Sequence, residues 1–151
     1  METQENQIEV LNDLVEINND RIVGYELAVE ETKDEDSDLK HIFAQMAQES
    51  RQYKQELTSE IGKLGGEIET GTTASGKIYR AWMDVKATFS GHSRKSVLEN
   101  CEFGEDAAQR AYRSALDDEN LTSPCRSLVM QQQQMLKVSH DKVKMMRDQQ
   151  S

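Results

Sequence analysis

Proline and aromatic residues are what this chain has least of. There is one proline in 151 residues, and Phe, Trp and Tyr together make up 5%. Alternating runs of Val, Ile, Thr and Tyr, the pattern of a half-buried strand, do not occur, so almost no sheet is expected. No stretch approaches the ~20 apolar residues that a membrane span needs. The opening METQENQIEV is polar and acidic, without the apolar centre of a secretory signal. No Lys/Arg cluster interleaved with aromatics offsets the net charge of −10, a field that repels nucleic acid and anionic membrane surfaces. Neither nucleic acid nor membrane is therefore expected as a partner. Only two cysteines occur, Cys101 and Cys125. At ~1.5 Å of rise per residue they fall roughly 25 Å apart on successive helices, too far for a disulfide. Free thiols fit a reducing cytoplasm.

Chemical motifs are missing too. Gly62, Gly65 and Gly66 end a helix rather than open one, so they form no phosphate-cradling loop. No Cys-x-x-Cys, His-Glu-x-x-His or nucleophile–base constellation is readable. The balance leans away from an enzyme.

What is present is helical periodicity. Hydrophobic residues are 36% and charged residues 30% of the chain, a ratio that suits long amphipathic helices showing water a whole face. Ile8, Leu11, Val15, Asn18, Ile22, Tyr25 and Val29 are spaced 3-4-3-4-3-4, one helix face with an amide at its centre. The next stripe is Leu39, Phe43, Met46, Ser50, Tyr53, Leu57, Ile61 and Leu64. A third is Leu98, Cys101, Glu105, Ala108, Tyr112 and Ala115, and a fourth includes Val129, Leu136, His140 and Val143. Each stripe has a polar side chain where a bundle core should be apolar.

The turn residues set the bounds. Helix A is expected over about 4–33, helix B over 38–64 with Ser37 as its N-cap, and Gly65-Gly66 as a left-handed stop. A short crossover helix over about 77–89 holds Ile78, Trp82, Val85 and Phe89. Helix C follows over about 94–118. Helix D runs over about 123–148, capped by Thr122 or Ser123, with Pro124 in its first turn. Two antiparallel hairpins, A–B and C–D, are joined by a crossover of roughly 28 residues, long enough to travel the bundle. That is the one-crossover topology of a ferritin-like four-helix bundle in a single domain over 1–151. A faint repeat supports it. At an offset of 87, Leu11 falls on Leu98, Tyr25 on Tyr112, Ala28 on Ala115, Asn18 on Glu105 and Tyr53 on His140.

The segments Leu11-Asn-Asp-Leu-Val-Glu-Ile-Asn-Asn-Asp-Arg-Ile-Val-Gly-Tyr25, Gly76-Lys-Ile-Tyr-Arg-Ala-Trp-Met-Asp-Val-Lys86, Cys101-Glu-Phe-Gly-Glu-Asp-Ala-Ala108 and His140-Asp-Lys-Val143 resemble a bacterial family of ferritin-like four-helix proteins of uncharacterised function. The resemblance covers nearly the whole chain. It implies a bacterial, cytoplasmic, stress-associated protein with no established activity. More distantly the pattern is similar to rubrerythrin and ferritin. Those families place a Glu on helices A and C, and Glu-x-x-His on helices B and D. Their helix-A Glu stands seven residues before a core Tyr, which here puts Asn18 before Tyr25 and Glu105 before Tyr112. The Glu-x-x-His positions fall on Ser50-Arg-Gln-Tyr53 and Lys137-Val-Ser-His140. Glu105 and His140 match; Asn18, Ser50, Tyr53 and Lys137 do not.

A di-iron centre needs about four carboxylates and two imidazoles. The matched positions offer one of each, so the classical site is expected to be lost and no cofactor is expected. The polar layer is read as a hydrogen-bonded Glu105–His140 pair beside Asn18, Ser50 and Tyr53. If any metal binds, Glu105 and His140 hold a single transition-metal ion. Glu26, Glu49 and Glu102 lie out of phase and are expected at solvent or a helix boundary. Tyr25 and Tyr112 are core tyrosines with hydroxyl partners. Tyr79, Trp82 and Phe89 form a possible interaction face. Met130, Met135, Met145 and Met146 are taken as core gap-fillers and edge contacts, and the run Gln131 to Gln134 leaves part of helix D free to face a second subunit. His41 and His92 are read as surface residues. The expected function is a non-enzymatic structural or interaction bundle, associating as a homodimer. The alternatives are a metal-binding oxidoreductase variant at Glu105 and His140, or a carrier of a small apolar ligand in the bundle core.

Overall fold

Four long helices account for most of the chain. A computed structural model describes residues 2–68 and 94–149. It places α1 at Glu2–Glu31, α2 at Ser37–Lys63, α3 at Arg94–Asp117 and α4 at Cys125–Asp148, with a 3-10 turn at Asp34–Asp36. No strand occurs among the described residues. The expected crossover helix over 77–89, with Tyr79, Trp82 and Phe89, lies outside the described residues, as does His92.

Helix ends show which local signals act. Gly65 has φ +77°, its N–H bonds to the carbonyl of Gly62, and the N–H of Gly66 bonds to that of Ile61. This paired closure is a Schellman stop, and the left-handed residue inside it favours glycine. A Cβ on Gly66 would lie 2.7 Å from the Ile8 side chain, so α2 ends directly against α1. Gln4 donates to the carbonyl of Leu64 and Asn12 to that of Glu67, tying the end down. The expected N-caps do not form. The residue before α2 is Asp36 and that before α4 is Pro124, and neither makes a side-chain cap bond. Ser37 already belongs to α2, and Thr122 instead uses its carbonyl to accept from Arg126 N–H.

Helix directions follow from named contacts. Asn18 meets Tyr112 and Tyr25 meets Glu105, so α1 and α3 are antiparallel. Gln132 meets Tyr53 while Ser139 meets Glu49, so α2 and α4 are antiparallel as well. Arg94, opening α3, pairs with Asp36 and Asp38 at the opening of α2. Hence α2 and α3 run parallel, and α2 ends at the opposite end of the bundle from where α3 begins.

The buried faces show the internal repeat with a correction. Leu11, Leu14, Asn18, Arg21, Tyr25 and Ala28 of α1 correspond, 87 residues on, to Leu98, Cys101, Glu105, Ala108, Tyr112 and Ala115 of α3; all are buried. Leu39, Phe43, Met46, Ser50, Tyr53 and Leu57 of α2 correspond to Cys125, Val129, Gln132, Leu136, Ser139 and Val143 of α4, all buried, but at a spacing of 86. The second hairpin is one residue shorter from core to core. One residue turns a helix by about 100°, so Lys137 and His140 are rotated away from the axis and Leu136 and Ser139 take the inward places. Both cysteines are free and buried.

The methionines and glutamines of α4 divide between the core and the outer face. Met130, Met135 and Met145 are exposed, and Met146 alone of the four packs on the core. Within the glutamine run, Gln132 is buried and Gln133 bonds Gln109 of α3. No described helix is long and apolar enough to cross a membrane.

Candidate functional site

The polar groups meet halfway along the bundle. Arg21 is fully buried on α1, whereas Ile22, the stripe member beside it, is only half-buried. Its Nε donates to Glu105 Oε1 at 2.6 Å, and its Nη1 donates to Ser50 Oγ at 2.7 Å and to the Met46 carbonyl at 3.0 Å. Its Nη2 lies 3.9 Å from Glu49 Oε2. The guanidinium carbon stands 5.0 Å from the centre of the Tyr25 ring. One cation thus joins α1, α2 and α3. Glu105, whose side chain is 0% exposed, also accepts from the Tyr25 hydroxyl at 2.7 Å.

A neutral relay runs alongside. Asn18 Nδ2 donates to the Leu14 carbonyl and to the Tyr112 hydroxyl, each at 2.8 Å. The Tyr112 hydroxyl donates to Gln132 Oε1 at 2.7 Å, and Gln132 Nε2 donates to the Tyr53 carbonyl and to Glu56 Oε1. The pairing is crossed. Each core tyrosine meets the polar residue that stands seven positions before the other tyrosine.

The electrostatics hold these groups in one protonation state. Burial alone would lower the Arg21 pKa, but the facing Glu105, with Tyr25 and Glu49, outweighs it and keeps the guanidinium charged. Burial pushes Tyr25 and Tyr112 well above the usual phenol range, and pushes Tyr53 up to about 12. Burial, reinforced by Glu105, raises the Cys101 thiol as well, so it is no thiolate nucleophile. The hydroxyls are fixed neutral donors, a set suited to holding geometry rather than moving protons near neutrality.

The expected Glu105–His140 pair does not form. His140 is half-buried at the α3–α4 seam, its Nε2 against Asp106 and its Nδ1 3.1 Å from Asp141. Burial would lower the His140 pKa, but the bonds to Asp141 and Asp106 raise it above the ordinary imidazole value. Lys137 is 64% exposed and pairs with Asp141. Of the expected polar layer, Asn18, Ser50, Tyr53 and Glu105 face the centre, and Lys137 and His140 do not. Among the out-of-phase acids, Glu26 is exposed and pairs with Arg51, while Glu49 is half-exposed and accepts from Ser139. Glu102 sits at the seam with Arg147.

A di-iron centre does not fit this donor set. Asn18, Ser50 and Tyr53 are neutral, the inward residues of α4 are Leu136 and Ser139, and Glu105 is the one carboxylate among the corresponding positions. Its charge is already met by a guanidinium wedged between it and Ser50. The group defined by fold and site is an all-helical bundle with a fixed ion pair and hydrogen-bond relay in its core. The chain belongs to the family described as Domain of unknown function (DUF2383), whose sequence model matches residues 6–118. That match takes in Asn18, Arg21, Tyr25, Glu105 and Tyr112, and stops before α4. No curated protein matches the chain.

Proposed function

We propose that this protein is a non-enzymatic member of the ferritin-like bundles, a structural or interaction protein whose core no longer holds a di-iron site. One observation supports this most directly: the Arg21 guanidinium lies between Glu105 and Ser50, positions that the resemblance assigns to metal ligands. A built-in monovalent cation replaces a bound metal as the counter-charge to the core carboxylate. The crossed pairs Asn18–Tyr112 and Tyr25–Glu105 and the antiparallel arrangement of α1 with α3 support the ferritin-like descent. The resemblance adds a bacterial, cytoplasmic and stress-associated setting.

Association with a second copy completes the proposal. The outer face of α4 shows water Met135, Val138 at 70% exposure, and Met145, and apolar side chains grouped on one face are how interaction surfaces present themselves. Sedimentation should return the mass of two chains, and Val138→Asp should return one. A wild-type mass of one chain at micromolar concentration would end the homodimer proposal.

The loss of di-iron chemistry is tested by adding ferrous iron aerobically and following both bound iron and the near-ultraviolet band of oxo-bridged ferric ions. The expected result is no such band and no oxidation faster than in buffer. Two irons per chain, lost on Glu105→Gln, would overturn the proposal.

A further inference from the structure

Away from the core, α3 and α4 bring three metal-type donors to one place. Glu102 and Asp106 stand one turn apart on α3 and so project to the same side. His140 comes from α4 opposite. One ligand atom from each lies within 4.8 Å of the others. Neither the family description nor the core network accounts for this cluster.

We propose that Glu102, Asp106 and His140 form a binding site for a single divalent transition-metal ion at the α3–α4 seam, with solvent completing its coordination. Four features support this. The imidazole is oriented as a ligand: its Nε2 faces Asp106 in the cluster while its Nδ1 is held by Asp141 outside it, at 3.1 Å. That is the carboxylate–histidine arrangement that fixes the tautomer and ring of a metal-bound histidine. Glu102 is kept at the seam, its Oε2 against the Arg147 guanidinium and within reach of Asp106 and His140. The donors are one nitrogen and two carboxylates with no thiolate, a set that suits Zn²⁺, Co²⁺, Mn²⁺ or Fe²⁺ rather than Cu⁺, and the imidazole disfavours Ca²⁺ and Mg²⁺. Finally, the net charge of −10 raises the local concentration of any divalent cation.

The site would join α3 to α4, so occupancy should stabilise the second hairpin. Arg147 is its built-in competitor. In the absence of metal its guanidinium answers the Glu102 charge, and it must move aside for an ion to bind. The seam and the core are separate sites, because Glu105 points to Arg21 while its neighbour Asp106 points to His140.

The test uses full-length protein stripped with a chelator, titrated with Co²⁺ and then Zn²⁺ at mildly alkaline pH. Co²⁺ absorption reads the ligands, calorimetry reads stoichiometry, and a melting curve reads the coupling. One equivalent of Co²⁺, displaced by Zn²⁺ and raising the melting temperature, is expected. His140→Ala should weaken binding by more than tenfold with helicity unchanged, since the side chain is only partly buried. Asp141→Asn should weaken it about tenfold, as loss of a group that orients a ligand does. Arg147→Gln should tighten it by more than Lys142→Gln, which removes the same charge from an exposed position without touching the cluster. Glu105→Gln should leave it unchanged. Affinity unaltered by His140→Ala, or the absence of any stoichiometric Co²⁺ or Zn²⁺ binding, would overturn the proposal. Binding lost in Glu105→Gln but kept in His140→Ala would move the metal into the core and overturn both this site and the proposed function.

Discussion

Replacing Arg21 with methionine removes the guanidinium and keeps an unbranched stem in its space. Three hydrogen bonds disappear, to Glu105, Ser50 and the Met46 carbonyl, together with the contact to the Tyr25 ring. The decisive loss is the partner of a fully buried carboxylate. Removing one member of a buried ion pair costs about 3–5 kcal/mol, because the other charge is left without compensation. Total stability for a domain is about 5–15 kcal/mol, so the variant should fold but marginally. At roughly 2–4 °C per kcal/mol for a chain of this size, the melting temperature should fall by roughly 6–20 °C.

Urea unfolding followed by far-ultraviolet circular dichroism measures the difference directly. A lone buried carboxylate favours its protonated form, so the deficit of Arg21→Met should be largest near neutrality and shrink in mild acid. Adding Glu105→Gln should recover at least about half of the loss, since the amide carries no charge yet still accepts from Tyr25. Arg21→Lys should fall between, because an ammonium keeps the charge but lacks the planar fork that spans Glu105 and Ser50. The reasoning is refuted by a deficit below about 1 kcal/mol, small for any buried charge left unpaired, or by a double variant no more stable than the single one.

Two other changes probe different parts of the structure. Tyr112→Phe removes the hydroxyl that accepts from Asn18 and donates to Gln132; leaving those buried amides short of a partner should cost about 1–3 kcal/mol, measured in the same unfolding assay, and a neutral result would mean that the relay contributes nothing to stability. The hydrogen bond from Arg94 holds Asp38 at about 2; a depressed carboxylate stabilises above its unfolded value and loses that contribution as pH falls through the folded one, so the gap in urea midpoint between wild type and Arg94→Gln should be constant above about pH 4 and close toward pH 2. A gap that widens in acid would show that Arg94 stabilises the α2–α3 end by something other than this pair.

Helix bounds were legible because apolar spacing and turn residues agree along the chain. The structure begins α2 at Ser37, ends it at Lys63 and begins α3 at Arg94, each within a residue of the sequence expectation. Asn18, Tyr25, Glu105 and Tyr112 were also legible, as polar members of apolar stripes related by the repeat. Arg21 was not. A stripe through Ile22 is more apolar than one through Arg21, and a charge beside an apolar residue is ordinarily assigned to solvent. The available signal was volumetric: Arg21 lies three residues after Asn18 and four before Tyr25, and its repeat partner is the small Ala108, buried in α3. Gln132 was not legible either, because it sits in a run of four glutamines whose composition hides which of them faces inward. His140 was misplaced because Val129, Leu136 and Val143 are each seven apart, a spacing that accepts either Ser139 or His140 between the last two.

That single residue of register organises both halves of the proposal. From Ala28 to Leu39 the chain takes 11 residues, and from Ala115 to Cys125 it takes 10. Had α4 kept the longer spacing, Lys137 would face the interior alongside Arg21, whose guanidinium already takes up the Glu105 carboxylate. A second buried cation without a counter-ion costs several kcal/mol, a large share of what such a domain has. The shorter connection places Leu136 and Ser139 inward instead. The polar layer then keeps the Arg21–Glu105 pair with its hydroxyls and amides, while His140 is delivered to the seam beside Asp106 and Glu102. A closed, ion-paired centre and a half-buried nitrogen–carboxylate cluster are thus two results of the same rotation of α4. In this chain the expectation of metal chemistry shifts from the bundle axis to its surface.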